Sequence, residues 1–298
     1  MILKNIIRRL KANKSRSKYN KDFYYPVGNY TLLFPSDHPL PEYQKAFRLY
    51  DKKLGLIVNA INRKIQSGFV VDIGANIGDT AALIRQNSDF PILCIEGDEN
   101  YLKYLCKNIE QLANTEIYKG FVGEKNTVKN LSIDHQSGTA KLVEDSANTI
   151  ELKDMETILT EVGKKATDIR LLKIDTDGYD FSILLSISSI IKTCKLNLFF
   201  EYDLSFTQNA FTQAKEVIAM LEKENYYLII YDNYGHLITI LTGNLESQMK
   251  YFDAYLKSCK TFGGGICYYD IFATTDKSLL EDILKAENNI FENNEDTV

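Results

Sequence analysis

From residue 69 onward the spacing of apolar residues changes period repeatedly, and each change predicts an element. Dense runs of β-branched and aromatic residues fall at 69–73, 91–96, 115–122, 169–175, 195–202, 226–232 and 267–273. Runs of this length and density read as strands buried on both faces. Between them, apolar positions three and four apart predict helices at 79–87, 99–112, 154–164, 180–191, 208–225, 245–257 and 275–286. Such alternation predicts an α/β fold, a seven-stranded, mostly parallel sheet with helices on both faces. Two stretches depart from it. Residues 126–152, with the turn D-H-Q-S-G-T, read as an inserted hairpin, and 226–242 reads as two strand-like runs about the turn D-N-Y-G-H.

The chain before residue 69 is patterned differently. Residues 1–21 set Ile2, Leu3, Ile6, Ile7 and Leu10 against Arg8, Arg9, Lys11 and Lys14, a basic amphipathic arm. Residues 22–68 carry the aromatic stretch Y-Y-P-V-G-N-Y-T-L-L-F, a proline-rich turn, and helical spacing through Leu54, Ile57, Ile61 and Ile65. They predict a hairpin and helices packed on the main domain as a lid. The domain itself is expected over 69–286, followed by a flexible acidic tail at 287–298.

Charge changes the picture. Eight of the 35 basic residues lie in the first 21, which hold no acid, so the remainder sets 27 cations against 40 acids, a net −13. An acidic body is a poor nucleic-acid binder, and none is expected as a partner. The arm is the exception: it has the composition for peripheral contact with an anionic membrane surface. No apolar run reaches the length of a membrane span, and the N-terminus lacks the apolar core of a secretory signal. The expected location is cytoplasmic, peripheral at the inner face of the membrane where the arm engages it. The five cysteines form no C-x-x-C or Cys/His cluster, so a zinc site is not expected.

Chemistry concentrates where strands end. Phe69 to Thr80, F-V-V-D-I-G-A-N-I-G-D-T, runs from strand through a glycine turn into a helix start, a cradle for a nucleotide-type ligand. There is no Gly-Lys-Ser/Thr for a phosphate loop, and a dinucleotide pattern set on Gly74 would need glycine where Asn76 and Asp79 stand. S-adenosylmethionine (SAM) has a charged amino-acid end, and its ammonium suits a strand that ends in Asp72. Glu96, ending the next strand, suits a ribose diol, a test that both SAM and NAD pass. The fourth and fifth strands end in Asp175 and Asp177, and in Glu201 and Asp203, which gathers carboxylates about one crevice and should raise some of their pKa values.

Taken together, D-I-G-A-N-I-G-D-T (72–80), C-I-E-G-D (94–98), L-L-K-I-D-T-D-G-Y-D (171–180), F-F-E-Y-D (199–203), I-Y-D-N-Y-G (230–235) and Y-Y-D-I-F-A (268–273) resemble the FkbM family of SAM-dependent methyltransferases. The resemblance implies a class I methyltransferase sheet and methylation of a hydroxyl, often on a sugar or polyketide-derived product. It places Asp72, Gly74 and Gly78 about the methionine part of SAM and Glu96 on its ribose, with Asn76 also among the cofactor-binding residues, and Asp175 between cofactor and acceptor. The chain departs from the family at Gly97, where many members have proline, and at Lys153-Asp154-Met155, where Thr-Leu-Asp is frequent.

A hydroxyl acceptor must lose a proton. Asp175 is the first candidate base, with Glu201 beside it; His135, in the inserted hairpin, is the histidine placed to reach over the site. His38 reads as a solvated loop residue and His236 as a structural residue of its turn. A divalent cation bridging Asp175, Asp177 or Glu201 is an alternative, and the metal-free version is preferred. The expected activity is O-methylation of a small-molecule or glycan acceptor, such as a cell-surface glycan or its precursor. Its rivals are an NAD-linked oxidoreductase on the same kind of sheet and a non-catalytic SAM-binding protein recruited through its basic arm.

Overall fold

A computed structural model of the chain describes residues 21–124, 127–136, 139–144, 149–205, 207 and 209–295. The chain enters through the antiparallel hairpin β1 (Phe23–Val27) and β2 (Tyr30–Phe34), then α1 (Leu40–Ala46) and α2 (Lys52–Lys64). Next come β3 (Phe69–Ile73), α3 (Asp79–Asn87), β4 (Ile92–Glu96), α4 (Glu99–Asn108) and β5 (Thr115–Lys119). An excursion follows, through β6 (Phe121–Val122), β7 (Thr127–Lys129), β8 (Leu131–Gln136), β9 (Thr139–Glu144) and β10 (Ile150–Lys153). The chain then returns through α5 (Met155–Glu161), β11 (Ile169–Ile174), α6 (Asp180–Ser186), α7 (Ser188–Cys194), β12 (Leu198–Tyr202) and α8 (Ala210–Lys223). It ends with β13 (Tyr227–Asp232), β14 (Leu237–Leu241), α9 (Leu245–Phe262), β15 (Tyr269–Thr274) and α10 (Lys277–Glu295).

Among the described residues the main sheet has eight strands, in the order β14-β13-β15-β12-β11-β3-β4-β5. Strands β3, β4, β5, β11 and β12 run parallel, and β15 is antiparallel to both β12 and β13. The eighth strand, beyond the seven expected, is β14, the far side of the D-N-Y-G-H turn, which extends the sheet edge. Two cores sit on opposite faces, as period-2 alternation along buried strands requires. Ile73, Ile95, Ile174 and Phe200 point into one, against α5–α9. Val70, Cys94, Leu171 and Phe199 point into the other, where Ile57 and Ile61 of α2, with Leu279 and Ile283 of α10, cover the sheet.

The chain leaves β3 to one side through β4 and β5, then comes back to β11 on the other. That reversal beside β3 opens a crevice at the carboxyl ends of the strands, where ligands of such sheets bind. Three differences from the sequence reading have local causes. The helix expected at 180–191 breaks at Ile187 into α6 and α7, where Ser186 Oγ donates back to the Ile183 carbonyl at 2.7 Å. The strand expected at 115–122 divides at Gly120, because β6 leaves the main sheet to pair with β10. The last helix runs through residues 287–295, which the sequence assigns to a tail. Residues 1–20 of the arm lie outside the described residues. No described helix is long and apolar enough to cross a membrane.

Candidate active site

Two cavities meet at the crevice, sharing Gly74, Asn76, Asp175 and Asp177 in their walls. The smaller, about 70 Å3, lies over the ends of β3 and β4 between the side chains of Tyr101 and Phe121. The larger, about 370 Å3, extends under the lid formed by the α1–α2 corner, toward the ends of β12 and β15.

The turn after β3 is built for close approach. Gly74 has φ +75, and a Cβ there would lie 1.9 Å from the Asp175 carbonyl oxygen, so only glycine lets β3 and β11 end side by side. Asn76, at φ +49, presents its backbone N–H to Glu96 Oε2 at 2.8 Å. Gly78 lines neither cavity; its left-handed backbone starts α3 against Leu105. Gly97, the departure from the family pattern, lies under the Phe121 ring, which a Cβ would meet at 2.4 Å.

Glu96 ends β4 and lines the smaller cavity as expected, but much of its capacity is spent. The N–H groups of Gly97 and Asp98 donate to Oε1, each at 2.8 Å, beside the Asn76 bond to Oε2. A carboxylate offers about four lone-pair directions, so room remains for one hydroxyl rather than the two of a diol. Burial raises its pKa to about 7 against the lowering effect of those backbone donors.

Asp72 is fully buried and lines neither cavity. Its Oδ1 accepts from Lys173 Nζ at 2.9 Å and its Oδ2 from Thr80 Oγ1 at 2.6 Å. The expected ammonium ligand is therefore already neutralised. Lys173, one strand over in β11, also reaches Asp175 Oδ2 at 3.4 Å. Lys173 is absent from the residues expected at the site; its signal in the sequence is a lysine within the apolar run L-L-K-I, destined for the same sheet face as an acid.

Asp175 stands in the wall common to both cavities, with its side chain half exposed. Glu201 faces the larger cavity, and burial, with the charges of Asp175 and Asp180, pushes its pKa well up. Asp180 accepts from Thr176 N and Oγ1 and from Glu201 N, and Asp203 from Ser205 N, so both are turn-forming carboxylates. His135 lies on β8 opposite Ala140 of β9, and its side chain is outside the described residues. His236 contacts Asp232 within its own turn. His38 differs from its expected solvated place: it lines the larger cavity, its Nδ1 accepting the Leu40 N–H at 3.3 Å. Burial, outweighing the raising effect of Asn76, lowers its pKa to about 4, which keeps the ring neutral. Among the described residues no three His, Cys, Asp or Glu side chains converge as a metal ion would require.

A family model for the FkbM methyltransferase domain matches residues 72–228, more than half of the chain. The chain belongs to the FkbM methyltransferase family. None of the curated proteins matches it by sequence. Among solved structures it is similar to methyltransferase FkbM from Methylobacillus flagellatus, with 14% identity, 61% of this chain and 52% of that one covered, and a TM-score of 0.38. It thus spans about half the length of that protein. It is also similar to precorrin-6y C5,15-methyltransferase from Geobacter metallireducens, with 11% identity, coverage of 70% and 80%, and a TM-score of 0.35. A third is the O-methyltransferase TomG from Streptomyces achromogenes, solved with SAM, with 10% identity, coverage of 64% and 79%, and a TM-score of 0.40. The FkbM match starts at Asp72 and ends within β13. The lid that roofs the larger cavity, and the Tyr268 to Asp270 segment of its wall, fall outside it.

Proposed function

We propose that this methyltransferase transfers the methyl group of SAM to a hydroxyl of a carbohydrate acceptor. The residues fit the cofactor. The smaller cavity has aromatic and aliphatic walls for an adenine and a carboxylate for a ribose hydroxyl, and Gly74 leaves bare backbone where a Cβ would protrude. SAM supplies an activated methyl on a sulfonium. The chain supplies placement, and holding an acceptor oxygen in line contributes much of the rate.

Asp175 carries the reading. It belongs to both cavities, so a cofactor that lies across them with its adenosine end in the smaller, and a hydroxyl bound in the larger, meet at its carboxylate, which can take the hydroxyl proton. Lys173 holds this carboxylate from behind. Polar walls of carboxyl groups, His38 and tyrosines suit a polyol, and the metal-free version is retained. Asp175→Asn should reduce turnover of labelled SAM on a glycan panel by about 100-fold or more while SAM affinity changes far less. Unchanged turnover would remove Asp175 from the chemistry, and NAD binding in place of SAM would overturn the reading as a whole.

A further inference from the structure

With Asp72 neutralised by Lys173 and Thr80, the α-ammonium of the cofactor's zwitterionic amino-acid end lacks the partner that the sequence assigns to it. Seven carboxyl groups and two lysines line the larger cavity. Both lysines are committed: Lys53 to Asp270, and Lys173 to Asp72 and Asp175. Most of the acids are accounted for by those lysines or by backbone donors. Asp51 is not.

Asp51 stands at the α1–α2 corner with φ +63 and makes no side-chain cap on α2. Its carboxyl group is buried in the cavity wall, and its Oδ2 is sealed from solvent with no hydrogen-bond partner. Among charged neighbours, Asp79 at the head of α3 acts on it most strongly. Two carboxyl groups are therefore neighbours in this wall, and the cations that act on them, Lys53 on Asp51 and Lys173 on Asp79, are each paired with another acid. Burial raises both, Asp51 to about 8 and Asp79 to about 6. A buried carboxylate without donors is costly unless it is protonated or met by a cation.

We propose that Asp51, together with Asp79, receives the α-ammonium of the methionine end of SAM. The proposal rests on the reading of the crevice as a SAM site, and it makes the lid part of the cofactor site. The cofactor is favoured over an aminated acceptor because Asp79 and Thr80 follow directly on the glycine turn that forms the cradle. An ammonium brings three donors and one positive charge, which is what this pair of carboxyl groups lacks.

The test is calorimetry on the full chain with S-adenosylhomocysteine and with its deamino analogue, the same thioether without the amino group. Wild type should bind the parent compound about 10- to 100-fold tighter than the analogue, the range for hydrogen bonds to a charged group. Asp51→Asn should erase that difference by weakening the parent compound alone, with the circular dichroism spectrum unchanged. Asp51→Ser should do the same, which guards against a folding defect of one variant. Equal weakening of both ligands, or parent binding at wild-type strength, overturns the proposal. Loss of glucosamine contact alone, read by saturation-transfer NMR, would assign Asp51 to the acceptor and overturn it as well. Failure of wild type to bind either thioether or SAM would sink the SAM reading and this proposal with it.

Discussion

Lys173 is 2% exposed in the middle of an apolar strand, a position that costs several kcal/mol for a charge without a partner. Asp72, directly across the β3–β11 register and fully buried, is what makes it tolerable. Removing one partner leaves the other charged and dry. Lys173→Met should therefore lower unfolding free energy in urea by roughly 3–5 kcal/mol, and adding Asp72→Asn should recover part of the loss. A single variant as stable as wild type would show that the pair is not buried as described. Lys173→Met should also lower turnover, since Lys173 is the cation that steadies Asp175.

At the scale of elements, the hairpin turn between β13 and β14 braces the lid. Phe47 stacks on Tyr234 with ring centroids 4.2 Å apart, and a Cβ on Gly235 would lie 2.2 Å from the Leu49 carbonyl oxygen. Gly235 also has φ +95, a backbone that L-residues rarely adopt. Gly235→Ala should destabilise the protein by more than about 1 kcal/mol in urea unfolding. It should also weaken S-adenosylhomocysteine binding, because the corner it displaces carries Asp51. Weakened binding without lost stability would mean that the brace is functional only. The second helix is the other anchor: Ile57 and Ile61 are almost wholly buried against the sheet, and Ile57→Ala should cost about 2–5 kcal/mol in the same measurement.

Over the whole molecule, acids outnumber bases, and several are buried at the strand end, helix starts and lid corner around the crevice. Burial, acting first, raises Asp79 and Asp180 to about 6, Glu96 to about 7 and Asp51 to about 8, from ordinary values of 3.8 for Asp and 4.5 for Glu. Folded values above unfolded ones mean that the folded chain holds more protons than the unfolded chain across this window. The stability they contribute is full below the unfolded carboxylate range and is lost as pH rises through the folded values. The urea midpoint of the ligand-free protein should therefore fall between pH 5.5 and pH 8, and Asp51→Asn should flatten the upper part of that slope. A midpoint that rises over this range would contradict the burial of these acids.

Much of the scaffold was legible along the chain because its causes are local. Alternation of dense apolar runs with helical spacing requires a buried parallel sheet, and a left-handed turn ending in a helix start requires glycine at 74 and 78. The crevice and Asp175 followed from strand ends. What tertiary structure alone decided is which carboxyl groups are free to face a ligand. Asp72 is taken by a lysine 101 residues away, Glu96 is left with room for one hydroxyl by the backbone it folds against, and a buried oxygen without a partner falls to Asp51, on a lid that no strand-end rule reaches. His38 likewise left its expected solvent for the cavity wall once α1 and α2 closed over the sheet. Local spacing determines where a side chain leaves the backbone; only long-range pairing determines whether its charge is already spent.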